Sequence, residues 1–228
     1  MKQEIKAWLF DLGKTLMYIP DEYDEEKCLN KLLGYNSVDL VRTIIYKLCN
    51  RYIGQSYEEF ISRFIKEVNK NNDASITREI NKIWYKSVDE AILKPFAHEI
   101  LDSLREIGLK LGLISNTPPT SYIILEKLNL LNRFDIVVFS CDTGYLKPDP
   151  RIFSIALEKL NVLPNETVIV GDKIRTDILG GAILGMNSIL VEERFKYLIE
   201  NNQNYVNAIV PNLLEIKNTK LFKSSLHE

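Results

Sequence analysis

Cysteine, histidine and net charge are all scarce in this chain, and each scarcity closes off a class of function. The three cysteines in 228 residues, Cys28, Cys49 and Cys141, are odd in number and lack metal-type spacing. That argues against a disulfide framework, fits a reducing cytoplasm and leaves them as core or incidental thiols. The two histidines are His98, expected in a helix beginning near Pro95, and His227 in the tail; neither is read as catalytic. Lys and Arg number 29 against 31 Asp and Glu, for a formal charge of -2, and the basic residues are scattered. Nucleic acid is therefore not an expected partner. No apolar run is long enough to cross a bilayer, and the N-terminal one is cut by Asp11, so neither a secretory signal nor a membrane span is expected. Internal repeats and long low-complexity segments are absent as well.

What is present suits a sizeable core, arranged as one domain carrying an insertion or as two modest domains. From about residue 94 onward, short apolar runs alternate with amphipathic stretches, the order expected of βαβ units on a parallel sheet. After a first strand ending at Phe10, the expected strands are KLGLIS (110–115), FDIVVFS (134–140), ETVIVG (166–171), NSILV (187–191) and AIV (208–210). Thr117 followed by two prolines, and Asp149 followed by Pro150, read as helix starts. Glycines 144, 171, 180, 181 and 185 punctuate loops and helix boundaries.

Between residues 19 and 93 the apolar residues recur at helical spacing instead. Val38, Val41, Ile45, Leu48 and Tyr52 form one stripe; Phe60, Ile61, Phe64, Ile65 and Val68 another; Ile76, Ile80, Ile83, Trp84 and Val88 a third. Ser56 and Glu59 read as a capping box before the second stripe. The pattern predicts an all-helical insertion of three or four helices over 19–93, within an α/β core formed by 1–18 and 94–228. The Asn/Lys-rich stretches 69–72 and 201–204 read as solvated turns.

In open parallel sheets, ligands bind beyond the carboxyl ends of the strands. The residues expected there are Asp11 after the first strand, Ser115 and Asn116 after the next, Lys147 in GYLKPDP, and Asp172 with Asp177 after ETVIVG. Taken singly each has a structural reading, as a cap, a solvated lysine or a helix-start acid. Together they form a coherent set. Asp11 and Asp172 offer hard oxygens for Mg²⁺, and Asp177 could hold a metal-bound water. Ser115 and the backbone N–H groups around Asn116 and Thr117 are suitable donors to phosphate oxygens, and Lys147 would neutralise remaining charge. Asp11 is then placed to attack phosphorus and form an aspartyl-phosphate that water cleaves.

The order FDLGKTL (10–16), LISN (113–116), GYLKPDP (144–150) and VGDKIRTD (170–177) resembles the haloacid dehalogenase-like hydrolase superfamily. The resemblance runs from residue 5 to about 216. It implies a Rossmann-like core, Mg²⁺ dependence, a small phosphorylated substrate, and a helical cap at 19–93 that closes over it. It also implies that Gly13 serves the metal through its backbone carbonyl. One departure stands out: most phosphatases of this family carry a second aspartate, the general acid, where this chain has Gly13, and Lys14 replaces the glycine usual one step later. A well-placed general acid contributes ~10²–10⁴-fold, or about 3–5 kcal/mol of barrier. The departure predicts a preference for acyl or aryl phosphates unless the cap supplies a donor. Lys14 could be that donor, a phosphate clamp, or an exposed turn lysine; Tyr18 and Tyr23 are candidate substrate-facing residues near the cap hinges. The alternatives are a phosphonate hydrolase, a dehalogenase, whose branch works without metal, and a non-catalytic phosphate-ligand-binding member.

Overall fold

The computed structural model describes residues 4–69, 73–192 and 205–226, with the side chain of Val38 outside the described set. The expected turn at 201–204 and His227 also lie outside the described residues.

The first strand, β1 (Ala7–Phe10), is buried along its whole length. Its side chains alternate between two cores, Trp8 and Phe10 in the larger and Ala7 and Leu9 in the smaller. A strand covered on both faces belongs at the centre of a parallel sheet, where alternating residues meet helices on either side. After β2 (Met17–Tyr18) the chain forms four helices, α1 (Glu25–Leu32), α2 (Val38–Arg51), α3 (Tyr57–Val68) and α4 (Ala74–Asp89), and returns through β3 (Ile92–Leu93). β2 and β3 pair antiparallel, Met17 opposite Leu93 and Tyr18 opposite Ile92. There follow α5 (Ala97–Glu106), β4 (Lys110–Ser115), α6 (Thr120–Lys127), β5 (Ile136–Phe139), α7 (Ser140–Thr143), α8 (Pro150–Leu160) and β6 (Thr167–Gly171). A π-helical turn (Ile174–Ile178) leads into α9 (Leu179–Ile183), β7 (Asn187–Val191), β8 (Ala208–Val210) and α10 (Lys220–Ser225).

The six-stranded sheet runs in the order β5-β4-β1-β6-β7-β8, with every neighbouring pair parallel. Connections leave β1 toward β4 and β5, then cross back to β6 on its other side. The order therefore reverses at β1, and the carboxyl ends of β4, β1 and β6 open onto one crevice. Close approach within the sheet is set by Gly112, where a Cβ would lie 2.4 Å from Leu9 Cδ2.

The four inserted helices hold together by the stripes their sequence predicts. Trp84 meets Phe60 and Phe64 edge-on, with centroids 5.5 and 5.7 Å apart, a favoured aromatic geometry. Ser56 and Glu59 form the expected capping box of α3, and Asp149 caps α8 with Pro150 in its first turn. The end of α2 seats on the core, where Gly54 N–H donates to the Cys141 carbonyl at 3.0 Å. Gly144, at φ +71°, leaves room for Ile53, whose Cδ1 would be 2.9 Å from a Cβ there.

Three local expectations differ. Thr117 does not cap α6, which starts three residues later behind Pro119 without a side-chain cap bond; the Thr117 hydroxyl pairs instead with that of Ser121. Phe134 and Asp135 precede β5, and Ser140 falls outside it because it already opens α7. Asn69 is buried, its amide donating to the Asp73 carbonyl at 2.7 Å and Thr77 Oγ1 at 3.1 Å. It braces the start of α4 rather than facing water.

Candidate functional site

Asp11 is the first residue past β1, its N–H still tied to the Val170 carbonyl of β6 at 2.9 Å. That bond carries the backbone one step beyond the strand and turns the carboxylate into the crevice. Oδ1 accepts from Lys147 Nζ at 2.6 Å and more distantly from Ser115 Oγ at 3.4 Å. Oδ2 accepts from Thr15 Oγ1 at 3.2 Å. Ser115 ends β4, and Asn116 beyond it clasps the main chain of Lys147: its Oδ1 accepts the Lys147 N–H at 2.7 Å, and its amide donates to the Lys147 carbonyl at 2.9 Å. The clasp positions Nζ to reach Asp11, Asp177 Oδ1 at 2.7 Å and the Ile114 carbonyl at 3.0 Å. All three ammonium donors are thus satisfied, which is what burying a lysine at 4 % exposure requires.

Asp177 comes from the π-helical turn after β6, a distortion that recurs at functional sites. Lys173 N–H and Thr176 Oγ1 donate to its two oxygens at 3.0 and 3.2 Å. It can press against β6 because residue 171 is glycine: a Cβ there would lie 2.4 Å from Asp177 Cβ and 2.5 Å from its Oδ2. Asp172 is half-buried, and its Oδ1 is buried without a hydrogen-bond partner.

The electrostatics show what this cluster lacks. Burial pushes Asp11 above the usual carboxylate range, with Lys147 opposing and Asp177 adding to the shift. Burial likewise pushes Asp172 up to about 7, with the Asp11 charge as the next cause. Burial works against the charge of Lys147, but Asp11 and Asp177 outweigh it and its pKa is raised. Three carboxylates face one buried ammonium. Oxygens of Asp11, Asp172 and Asp177 lie within 4.8 Å of one another, and Asp172 Oδ1 is buried without a partner. That donor set, all hard oxygen with excess negative charge, fits a divalent cation of the Mg²⁺ type.

Two cavities hold these residues. The inner one, about 80 Å³, is lined by Asp11, Gly13, Ser115, Asn116, Lys147 and Asp177, with Tyr46, Lys173 and Thr176. The outer one, about 450 Å³, includes Asp172, Lys14, Tyr18 and Lys94 in its wall. Of the residues the sequence points to, all seven site candidates thus lie in one or other cavity wall. Lys14 is exposed, at φ 65°, and lines only the outer cavity. Tyr23 lies in neither cavity wall and faces Lys86 Nζ, 5.1 Å from its ring centre. His98 is remote, its Nε2 3.0 Å from the Leu128 carbonyl. The Thr117 N–H, expected as a phosphate donor, is committed to Ser140 Oγ at 3.0 Å.

Sequence reasoning missed Thr15, Tyr46, Lys173 and Thr176. Thr15 could have been found, since it falls one turn after Asp11. Tyr46 lies beside the α2 apolar stripe, and nothing in that helix's sequence says which strand ends it will cover.

Comparison with known proteins agrees with this geometry. The family model described as haloacid dehalogenase-like hydrolase matches residues 9–191. A glyceraldehyde 3-phosphate phosphatase of Methanothermobacter thermautotrophicus is 31% identical over 195 residues, covering 82% of this chain and 85% of that protein. A phosphoglycolate phosphatase of Nitrosospira multiformis is 26% identical, covering 97% of each. Among solved structures, a 2-haloacid dehalogenase of Pseudomonas syringae superposes with a TM-score of 0.68 at 22% identity, covering 94% of this chain and 97% of that one. At that identity the likeness concerns the fold alone.

Proposed function

The chain belongs to the haloacid dehalogenase-like hydrolase family, and on that premise we propose that it is a Mg²⁺-dependent phosphatase of a small phosphorylated metabolite, working through an aspartyl-phosphate on Asp11. We assign 1–18 and 94–228 to the catalytic core and 19–93 to a helical cap. The observation that carries this reading is the Asp11 carboxylate, buried at the floor of a cavity of about 80 Å³ and 2.6 Å from the Lys147 ammonium. That space suits a phosphoryl group, and the cavity of about 450 Å³ that Asp172 lines offers room for the rest of a small metabolite. The relatives named as phosphatases support the same substrate class.

In the proposed reaction one Asp11 oxygen attacks phosphorus as the bond to the leaving oxygen breaks, and water then attacks the aspartyl-phosphate to release inorganic phosphate. Lys147 and Ser115 hold Asp11 in place and donate to the phosphoryl oxygens, with Asn116 fixing the lysine. The cation would be held by Asp11, the Gly13 carbonyl, Asp172 and, through water, Asp177, and when bound it neutralises charge on the transferring group. Metal-free dehalogenase chemistry would leave the buried Asp172 Oδ1 without a partner.

Hydrolysis of 4-nitrophenyl phosphate tests the proposal. Turnover is expected with Mg²⁺, none with EDTA, and a loss of about 10⁴-fold or more in Asp11→Asn. Chelator-resistant activity, or an active Asp11→Asn, would overturn it.

A further inference from the structure

An in-line displacement puts the leaving oxygen on the far side of phosphorus from the attacking carboxylate. Eight of the nine residues lining the inner cavity come from the core; the ninth, Tyr46, comes from α2. Among the core groups with a proton to give, Lys147, Ser115 and Thr176 are already engaged. The Lys147 ammonium is bonded to Asp11, Asp177 and the Ile114 carbonyl. Ser115 donates to Asp11 and Thr176 to Asp177. Lys173 stands in the loop carrying Asp172, where its charge favours the ionised forms of Asp11 and Asp172. Position 13 has no side chain at all. The Tyr46 hydroxyl makes no hydrogen bond with any described side chain or main-chain group. Lys14, the donor suggested by sequence, lines the other cavity.

We propose that Tyr46, reaching in from the inserted helices, is the proton donor to the leaving-group oxygen, doing from above what a carboxylate at position 13 would do from below. The inference rests on the phosphatase reading. As Asp11 forms its bond to phosphorus and the phosphorus–oxygen ester bond breaks, the leaving oxygen takes the phenolic proton and departs as the alcohol. The phenolate then takes a proton from the water that attacks the aspartyl-phosphate, which restores Tyr46 and frees Asp11 and phosphate. Burial, with the neighbouring Glu26, pushes the phenol up to about 12 while Arg42 opposes. It is therefore protonated between turnovers, yet still more acidic than an alkyl alcohol. Arg42 sits one turn before Tyr46, its Nε 2.9 Å from a Glu26 oxygen and its Nη1 2.9 Å from Asp39. Its charge offsets part of the effect of Glu26 on the phenol.

The test compares an alkyl phosphate, glycerol phosphate, with 4-nitrophenyl phosphate, whose leaving group needs no proton. In Tyr46→Phe, kcat on the alkyl ester is expected to fall ~10²-fold or more, while 4-nitrophenyl phosphate turnover changes little. Adding Gly13→Asp to Tyr46→Phe should restore alkyl turnover, because a Cβ at position 13 meets nothing within 4 Å. Wild-type turnover across aryl phosphates of rising leaving-group pKa should have a shallow slope, a measurement independent of how the variant folds. Equal losses on both esters, a steep wild-type slope, or a selective alkyl loss in Lys173→Met but not Tyr46→Phe would each remove Tyr46 from the role and leave the phosphatase standing. A wild type that hydrolyses neither ester would bring both down.

Discussion

The crevice at the sheet's carboxyl end and the four inserted helices are built on opposite economies of charge. In the crevice, Lys147 is 4 % exposed and Asp177 1 %, and each bond they make substitutes for water that is no longer there. On the insertion, ion pairs such as Lys47–Glu67 are solvated, with side chains 51% and 40% exposed, and the helices cohere through Trp84, Phe60 and Phe64 instead. A buried charge keeps its position only if its partners do, so the core site is rigid by necessity. The insertion can exchange surface residues at little energetic penalty, and among the described residues it reaches the inner cavity through Tyr46 alone.

The sharpest way to break this contrast is to remove one lysine from each region. In metal-free protein, Lys147→Met should lower stability by about 3–5 kcal/mol, because it strands two buried carboxylates, and added Mg²⁺ should recover part of that loss. Lys47→Met should stay within about 1 kcal/mol. Denaturant titration of both variants, with and without Mg²⁺, reads the difference; equal losses would erase it.

A pH series extends the comparison to Asp172. Its folded pKa, about 7, lies above the ordinary aspartate value of 3.8, so between those values the folded protein keeps a proton that the unfolded chain has released. Stability of the metal-free protein must then fall as pH rises through that window, by up to about 4 kcal/mol from this group. Measured against Asp172→Asn, which lacks the effect, the gap should open from pH 4 to 7.5 and close when Mg²⁺ is added at pH 7.5. Parallel curves would show that Asp172 is not strained by its neighbours.

Gly171→Ala should cost about 1–3 kcal/mol by overpacking and weaken Mg²⁺ binding measured by calorimetry, since the new methyl would occupy the space of the Asp177 carboxylate. The smallest effect belongs to the insertion. Ser56→Ala removes one cap of α3, worth about 1 kcal/mol, or roughly 2–4 °C in Tm for a chain of this size, with 4-nitrophenyl phosphate turnover unchanged.

How far the sequence could be read follows the same division. β4 and β7 fall where their apolar runs predict, because a strand buried on both faces admits little else. Asp11, Ser115 and Asp172 were legible for a related reason: a polar residue that ends such a run has nowhere to go but the crevice. Lys147 was visible in its loop, but not that Asn116 would hold its backbone, a contact between residues 31 apart. Thr117 was misread because proline after a hydroxyl residue is also compatible with a stretched lead-in to a helix, and here Ser140 takes its amide. Tyr46 was illegible because helical periodicity reports which face is buried, not what lies beneath it.

The two-residue ladder of β2 and β3 sets the terms on which the upper part of the molecule can change. Chain leaves the sheet at Tyr18 and re-enters opposite it at Ile92, so the order of the six parallel strands is indifferent to whatever is strung between those stubs. A larger, smaller or differently folded segment could be spliced there without rerouting any other connection. Such an exchange would leave Asp11, Lys147 and Asp177 in register and would carry Tyr46 away with α2.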